Sequence, residues 1–203
     1  MTLPTEFGLQ RFEGETARQF QAEITIHGLP LVFEGVIPEK VGVFSWTLRI
    51  RDWETMQDEV HRYLAHRAVQ IHPRLHFASR GEVAKLEMED VGELGENAAL
   101  VSYIQTIDPE NFPNGNPYTQ LTGAGSFLMN NLCALADIKR WNLYAGPAGA
   151  GKLSTSQIRD WTMRRGFTDI GYPGYAPMRR LPQQPDETQL IARIVRPTSL
   201  RSS

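Results

Sequence analysis

The stretch Gln120-Leu121-Thr122-Gly123-Ala124-Gly125-Ser126-Phe127-Leu128-Met129-Asn130-Asn131-Leu132-Cys133-Ala134-Leu135-Ala136 decides how this chain is read. Two glycines precede an apolar run in which Leu128, Leu132, Leu135 and Ala136 recur at helical spacing. The pattern predicts a long helix over 126–140. A helix that opens on glycines leaves its first N–H groups without an intrahelical partner, and its dipole adds positive potential there. Such a terminus suits a pyrophosphate. Glycines also simply let a chain turn into a helix, so the surroundings must decide.

Downstream, 141–145 reads as a short strand and 146–151 as a glycine-rich turn. Ser154 or Thr155 then caps a second helix carrying Ile158, Trp161 and Met163 and closing at Gly166. A strand is expected over 167–170, a Pro-, Gly- and Tyr-rich loop over 171–184, and a last strand over 190–195. Upstream, 20–37 reads as a hairpin broken at Gly28-Leu29-Pro30, and 44–51 as an alternating strand. Asp52 caps a helix whose Met56, Val60, Tyr63, Leu64 and Ala68 share a face, ending before Pro73. Strand-like pieces at 75–79, 83–88 and 99–107 suggest an antiparallel meander, and 108–119 is a loop rich in Pro, Asn and Gly. The expected class is mixed α/β, with too few βαβ units for a doubly wound parallel sheet.

The chain has 203 residues, enough for one large domain. A formal net charge of −2 supplies no electrostatic footprint for nucleic acid or a membrane surface. Arg164, Arg165, Arg179 and Arg180 are nonetheless close in sequence and would allow a small basic face. No apolar run reaches membrane-spanning length, and Met1–Glu6 lacks the basic and apolar segments of a secretory signal. With one cysteine, Cys133, no internal disulfide is available. A soluble, cytoplasmic protein is expected, with Cys133 as a small buried hydrophobe.

A second glycine motif, Gly146-Pro147-Ala148-Gly149-Ala150-Gly151-Lys152, fits the phosphate-binding G-x-x-x-x-G-K pattern after a strand. Its next residue is Leu153 where Ser or Thr should hold Mg²⁺, and Ser154 comes one place late. Only 51 residues follow Lys152, too few to complete a nucleotide triphosphatase sheet. A plain turn is the better reading.

The first motif and its surroundings resemble the GNAT acyltransferase family. That family's acyl-CoA motif is Q/R-x-x-G-x-G/A at the start of a long helix, and Gln120, Gly123 and Gly125 fall on its specified positions. The expected helix, short strand and second helix closing in Arg165-Gly166-Phe167 follow the family's order. The likeness extends over 46–170 and is specific over 120–167; residues 1–40 would be an added N-terminal β-hairpin before a GNAT-like domain at 41–203.

The resemblance implies an acyl-CoA-dependent N-acyltransferase with acetyl-CoA as co-substrate. Its acceptor would be a small amine or a protein amine, and a homodimer is compatible with the family. The pyrophosphate would rest on Gln120, Leu121, Thr122, Gly123, Ala124, Gly125 and Ser126, and the pantetheine arm between strands 99–107 and 141–145. The family's general acid is a tyrosine four residues before the glycine of Gly-Phe, where this chain has Thr162. A threonine is too weak an acid for that role, so Tyr144, Tyr172 or Tyr175 would substitute, or the thiolate would take its proton from water. A non-catalytic interaction protein on the same scaffold is therefore the second expectation, and a nucleotide-phosphate-binding protein using 146–152 the third. The loop 108–119 would either wall the acceptor site with Phe112 and Tyr118 or be plain surface.

His72 and His76 have metal-like spacing, but Pro73 between them breaks the helix that a shared ligand face would need. His61 and His66 do not share a helical face. Glu87 and Glu89 alternate as the water-facing side of a strand, and Trp46, Trp53, Trp141 and Trp161 read as packing residues.

Overall fold

A computed structural model describes residues 8–10, 17–26, 28–51, 82–95, 97–105, 123–146, 154–171 and 176–195. The expected helix at 52–72, the strand at 75–79, the loop at 108–119 and all five histidines lie outside them.

Nine strands form one sheet in the order β1-β2-β3-β4-β5-β6-β7-β9-β8. They are β1 (Gly8–Gln10), β2 (Ala17–Ile26), β3 (Leu29–Pro38), β4 (Phe44–Ile50), β5 (Glu82–Asp90), β6 (Ala98–Gln105), β7 (Asn142–Ala145), β8 (Thr168–Asp169) and β9 (Met178–Arg180). Helices α1 (Ala124–Lys139), α2 (Thr155–Met163) and α3 (Leu190–Val195), with a short 3-10 turn at Gly92–Leu94, complete the described elements. Every pairing is antiparallel except β6 with β7, the two strands that α1 connects. The class is therefore mixed α/β, as the pattern predicted.

Alternation explains the first half of the sheet. Phe20 and Ala22 of β2 are buried while their odd-numbered neighbours Gln19, Gln21 and Glu23 are exposed. Phe44, Trp46, Leu48 and Ile50 of β4 do the same. These residues meet Leu31 and Phe33 of β3 and Leu128, Leu132 and Leu135 of α1 in one core. Phe33 contacts Phe20, Trp46 and Phe127 edge to face, at centroid distances of 4.7, 5.5 and 5.0 Å. The N-terminal hairpin thus belongs to the main sheet and shares its core. On the outer face the polar side chains pair, as in the two-pronged contact of Arg49 with Glu34 and the contact of Arg51 with Glu23.

Two expectations are corrected. The apolar run Leu190–Val195 is helix α3, not a strand. A short apolar run cannot be assigned by periodicity alone. Here Ile191 and Ile194, three apart, both enter the core beside α1. Asn131 settles the choice by accepting the Ile191 N–H at 2.8 Å at the helix start. The second correction lies within 171–184, expected as loop, where Met178–Arg180 forms β9 and inserts between β7 and β8. Three residues with two arginines carry almost no strand signature. Their pairing depends on Asp137 of α1, which holds Arg180 from the opposite side.

Candidate functional site

The parallel pair is short. Ala98 to Val101 align with Asn142 to Ala145, and β7 then ends. β6 continues to Gln105, where its only partner among the described residues is β5. A register shift between Glu87 and Met88 makes Ser102 an extra residue of β6, and its Oγ donates to the Glu87 carbonyl at 3.2 Å. Such a bulge bends a strand and re-aims its side chains. Among the described residues the parallel pairing ends at Val101 and Ala145. Ligands of open α/β sheets settle at the carboxyl ends of parallel strands.

Helix α1 packs on β5 and β7 of the sheet. Its N-cap is Gly123, at φ 94° and ψ −15°, a conformation that glycine adopts without a Cβ penalty. No side chain caps the helix, and the first intrahelical bond runs from the Phe127 N–H to the Gly123 carbonyl at 2.8 Å. The N–H groups of Ala124, Gly125 and Ser126 have no acceptor among the described residues, as is usual for a helix start. Gln120, Leu121 and Thr122 lie outside the described residues.

Helix α2 is attached to this terminus. Trp161 Nε1 donates to Ser126 Oγ at 3.2 Å. The Arg165 guanidinium stacks over Trp161 at 3.9 Å from the ring centroid, with Nε donating to Asn130 Oδ1 at 3.0 Å and Nη1 to the Trp161 carbonyl at 2.7 Å. Burial draws the Arg165 pKa below its ordinary value, although a guanidinium stays charged at neutral pH. This half-buried cation lies along the first two turns of α1 and adds to the potential there.

The two expected acid residues are placed differently. Thr162 is 2% exposed and its Oγ1 donates to the Ile158 carbonyl at 2.8 Å, so its proton is already engaged. Tyr144 of β7 is 6% exposed and packs with Val91, Ala98, Leu100 and Ala176 in a small cluster on the sheet face opposite α1. Its hydroxyl has no hydrogen-bond partner among the described residues. Tyr172 and Tyr175 lie outside them.

The four late arginines do not form one basic face. Arg180 points to the α1 side, where its Nη1 and Nη2 donate to the Asp137 carboxylate at 2.7 Å each and its Nε to the Arg165 carbonyl at 2.9 Å. Burial opposes the charge of Arg180, but Asp137 outweighs it and the pKa is raised. Arg179 is turned to the other face, beside Tyr144. Sequence reading singled out neither Arg179 nor Asp137 as individual residues. The only available signal was strand alternation, and β9 was not recognised as a strand.

Ser154, the hydroxyl one place late for a phosphate loop, caps α2 instead. It accepts the Gln157 N–H at 3.3 Å, while Gln157 Oε1 accepts the Ser154 N–H at 2.8 Å. Residues 147–153 lie outside the described ones. Among the described residues no group of His, Cys, Asp and Glu could hold a metal, and no helix is long and apolar enough to cross a membrane. Set against protein-family models, characterised proteins and solved structures, the chain matches none of them.

Proposed function

We propose that the chain is an acyl-CoA-dependent N-acyltransferase of GNAT-like design, with acetyl-CoA as the simplest co-substrate. One observation carries the reading: a four-residue parallel strand pair, alone of its kind among the described residues, bridged by a helix whose glycine start has no side-chain cap. In this reading the N–H groups of Ala124, Gly125 and Ser126 bind the pyrophosphate, with Gln120, Leu121 and Thr122 leading into it. Gly123 and Gly125 let the phosphates approach the backbone. The thioester lies between β6 and β7, where backbone N–H groups at the strand ends would serve the developing oxyanion.

The reaction forms an N–C bond to the thioester carbonyl and breaks the C–S bond. The amine loses one proton, and the departing thiolate must gain one. Tyr144 is the favoured donor, because its hydroxyl is uncommitted among the described residues and it lies one residue before the last parallel pair. Thr162 holds α2 together through Ile158 and is left out of the chemistry. The second reading is a non-catalytic protein that binds acyl-CoA on the same scaffold, and the engaged hydroxyl of Thr162 is what favours it.

Thermal unfolding with excess acetyl-CoA, and separately with ATP–Mg²⁺, tests the assignment. A ligand at about one hundred times its dissociation constant adds roughly 2.7 kcal/mol, which for a chain of this size raises Tm by about 5–10 °C. Acetyl-CoA should give that shift, and Gly123→Glu should lose it while remaining folded. An undiminished shift in the variant overturns the site, and no shift in the wild type overturns the reading. Thiol release in the presence of amines separates catalysis from binding alone.

A further inference from the structure

On the sheet face opposite α1, one row of directly paired residues crosses four strands: Leu100 of β6, Tyr144 of β7, Arg179 of β9 and Thr168 of β8. Paired residues share a face. Arg180 confirms the orientation, because it reaches Asp137 of α1 and so leaves Arg179 on the other side. The Arg179 Nε is buried and has no hydrogen-bond partner among the described residues, while the residue as a whole is only partly buried. No ion pair involves this guanidinium among the described residues. A buried N–H donor without an acceptor is costly, and in native proteins such a group calls for an explanation. Next to it stands Tyr144, whose ring packs among apolar side chains.

We propose that Arg179, beside Tyr144, forms an anion subsite for a carboxylate on the acceptor, which makes the acceptor an amino acid or a close relative bearing both an amine and a carboxylate. This deepens the acyltransferase reading and rests on it for the word acceptor; the carboxylate site itself stands on Arg179, and the Tyr144 hydroxyl stays with the thiolate. A guanidinium presents a planar fork that matches a carboxylate with two parallel hydrogen bonds. Arg179 is paired one residue from the end of β7, about 3.3 Å along the strand from the last parallel pair. A carboxylate held there leaves the amine of a small molecule within reach of the end of the β6–β7 pairing. The pyrophosphate site at α1 lies on the other face, so the sheet separates the two anions and Arg179 is not a second cradle for the same phosphates.

The direct test is binding to the whole chain, without turnover. N-acetyl amino acids with small, acidic, basic and aromatic side chains are titrated by calorimetry, beside their N-acetyl amides and inorganic phosphate. At least one free acid should bind, its amide should bind on the order of ten- to a hundredfold more weakly, and Arg179→Gln should abolish the difference. Arg179→Lys should restore it only in part, because the fork is lost. Equal binding of acid and amide, binding of phosphate alone, or no binding of any acid overturns the proposal. Acetyl-CoA is titrated into the same variants: unchanged affinity in Arg179→Gln is expected. Absence of acetyl-CoA binding in the wild type counts against the acyltransferase reading, while a carboxylate site lost in Arg179→Gln would still stand.

Discussion

At the residue scale, environment rather than residue type decides what each reactive group can do. Cys133 sits in the helix that opens the site, yet it is 8% exposed and burial pushes its pKa up to about 11. A thiol so placed stays protonated at neutral pH and behaves as a small hydrophobe. The consequence appears on the alkaline side. A protonated thiol favoured by the fold contributes stability that is fully present below its unfolded pKa, near 9, and is lost as pH rises toward 11. That difference between the folded and unfolded thiol is worth about 2–3 kcal/mol. Urea unfolding of the wild type should therefore weaken by about that much over this window relative to Cys133→Ala. Parallel curves for the two proteins would remove the buried-thiol explanation. A native-state thiol assay at a pH of about 8, still below the ordinary thiol pKa, should show no fast reaction.

At the scale of elements, a strand can depend on a residue that has no side chain. Gly35 of β3 lies opposite Trp46 of β4, at φ +156°. A Cβ there would stand 2.5 Å from Trp46 Cδ1 and 2.6 Å from the Ser45 carbonyl oxygen. Trp46 cannot yield, since it is fully buried among Phe20, Phe33 and Phe44 and its Nε1 donates to the Val36 carbonyl at 2.8 Å. Gly35→Ala should cost about 2–4 kcal/mol through overpacking, read as a lowered urea midpoint and a weakened near-UV tryptophan signal. Ser154→Ala, which removes the cap of α2, should cost only about 1 kcal/mol. The contrast matches what was legible in the sequence. Alternation in β2 and β4 and the stripe of α1 arise from burial against one continuous core, so their periods are written in the residues. The Ser154 cap and the glycine start of α1 are local devices and were equally readable. β9 and α3 are set by distant partners, Asp137 and Asn131, and segments this short could not announce them. For the same reason Arg179 was legible only as one of four neighbouring arginines: its position beside Tyr144 exists only once β9 is paired.

At the scale of the whole molecule, Asp137 binds the parts of the proposed site into one body. Its carboxylate holds both terminal nitrogens of Arg180 and accepts the Gln183 N–H at 2.7 Å, and Arg180 in turn holds the Arg165 carbonyl. Asp137 is on α1, Arg180 on β9, and Arg165 follows α2, so three elements meet at a pair of side chains only 3% exposed each. Breaking one side of such a pair leaves a buried charge, so Asp137→Ala should destabilise by about 3–5 kcal/mol. Replacing both, as in Asp137→Leu with Arg180→Met, should recover most of that loss, because a well-packed apolar pair avoids desolvating two ions. Stability and binding should then separate. The double variant lacks the bond to the Arg165 carbonyl, which fixes the chain end of α2 from which Trp161 reaches Ser126 and Arg165 reaches Asn130. Its acetyl-CoA affinity should stay well below that of the wild type although its unfolding midpoint returns. Hydrogen exchange should place the loss in α2 and β8–β9 while β2–β5 stay protected, since those strands share none of these contacts. A double variant that regains stability and affinity together would show that the ion pair serves only the fold; one that regains the first alone makes it the part that aligns α2 with the helix start.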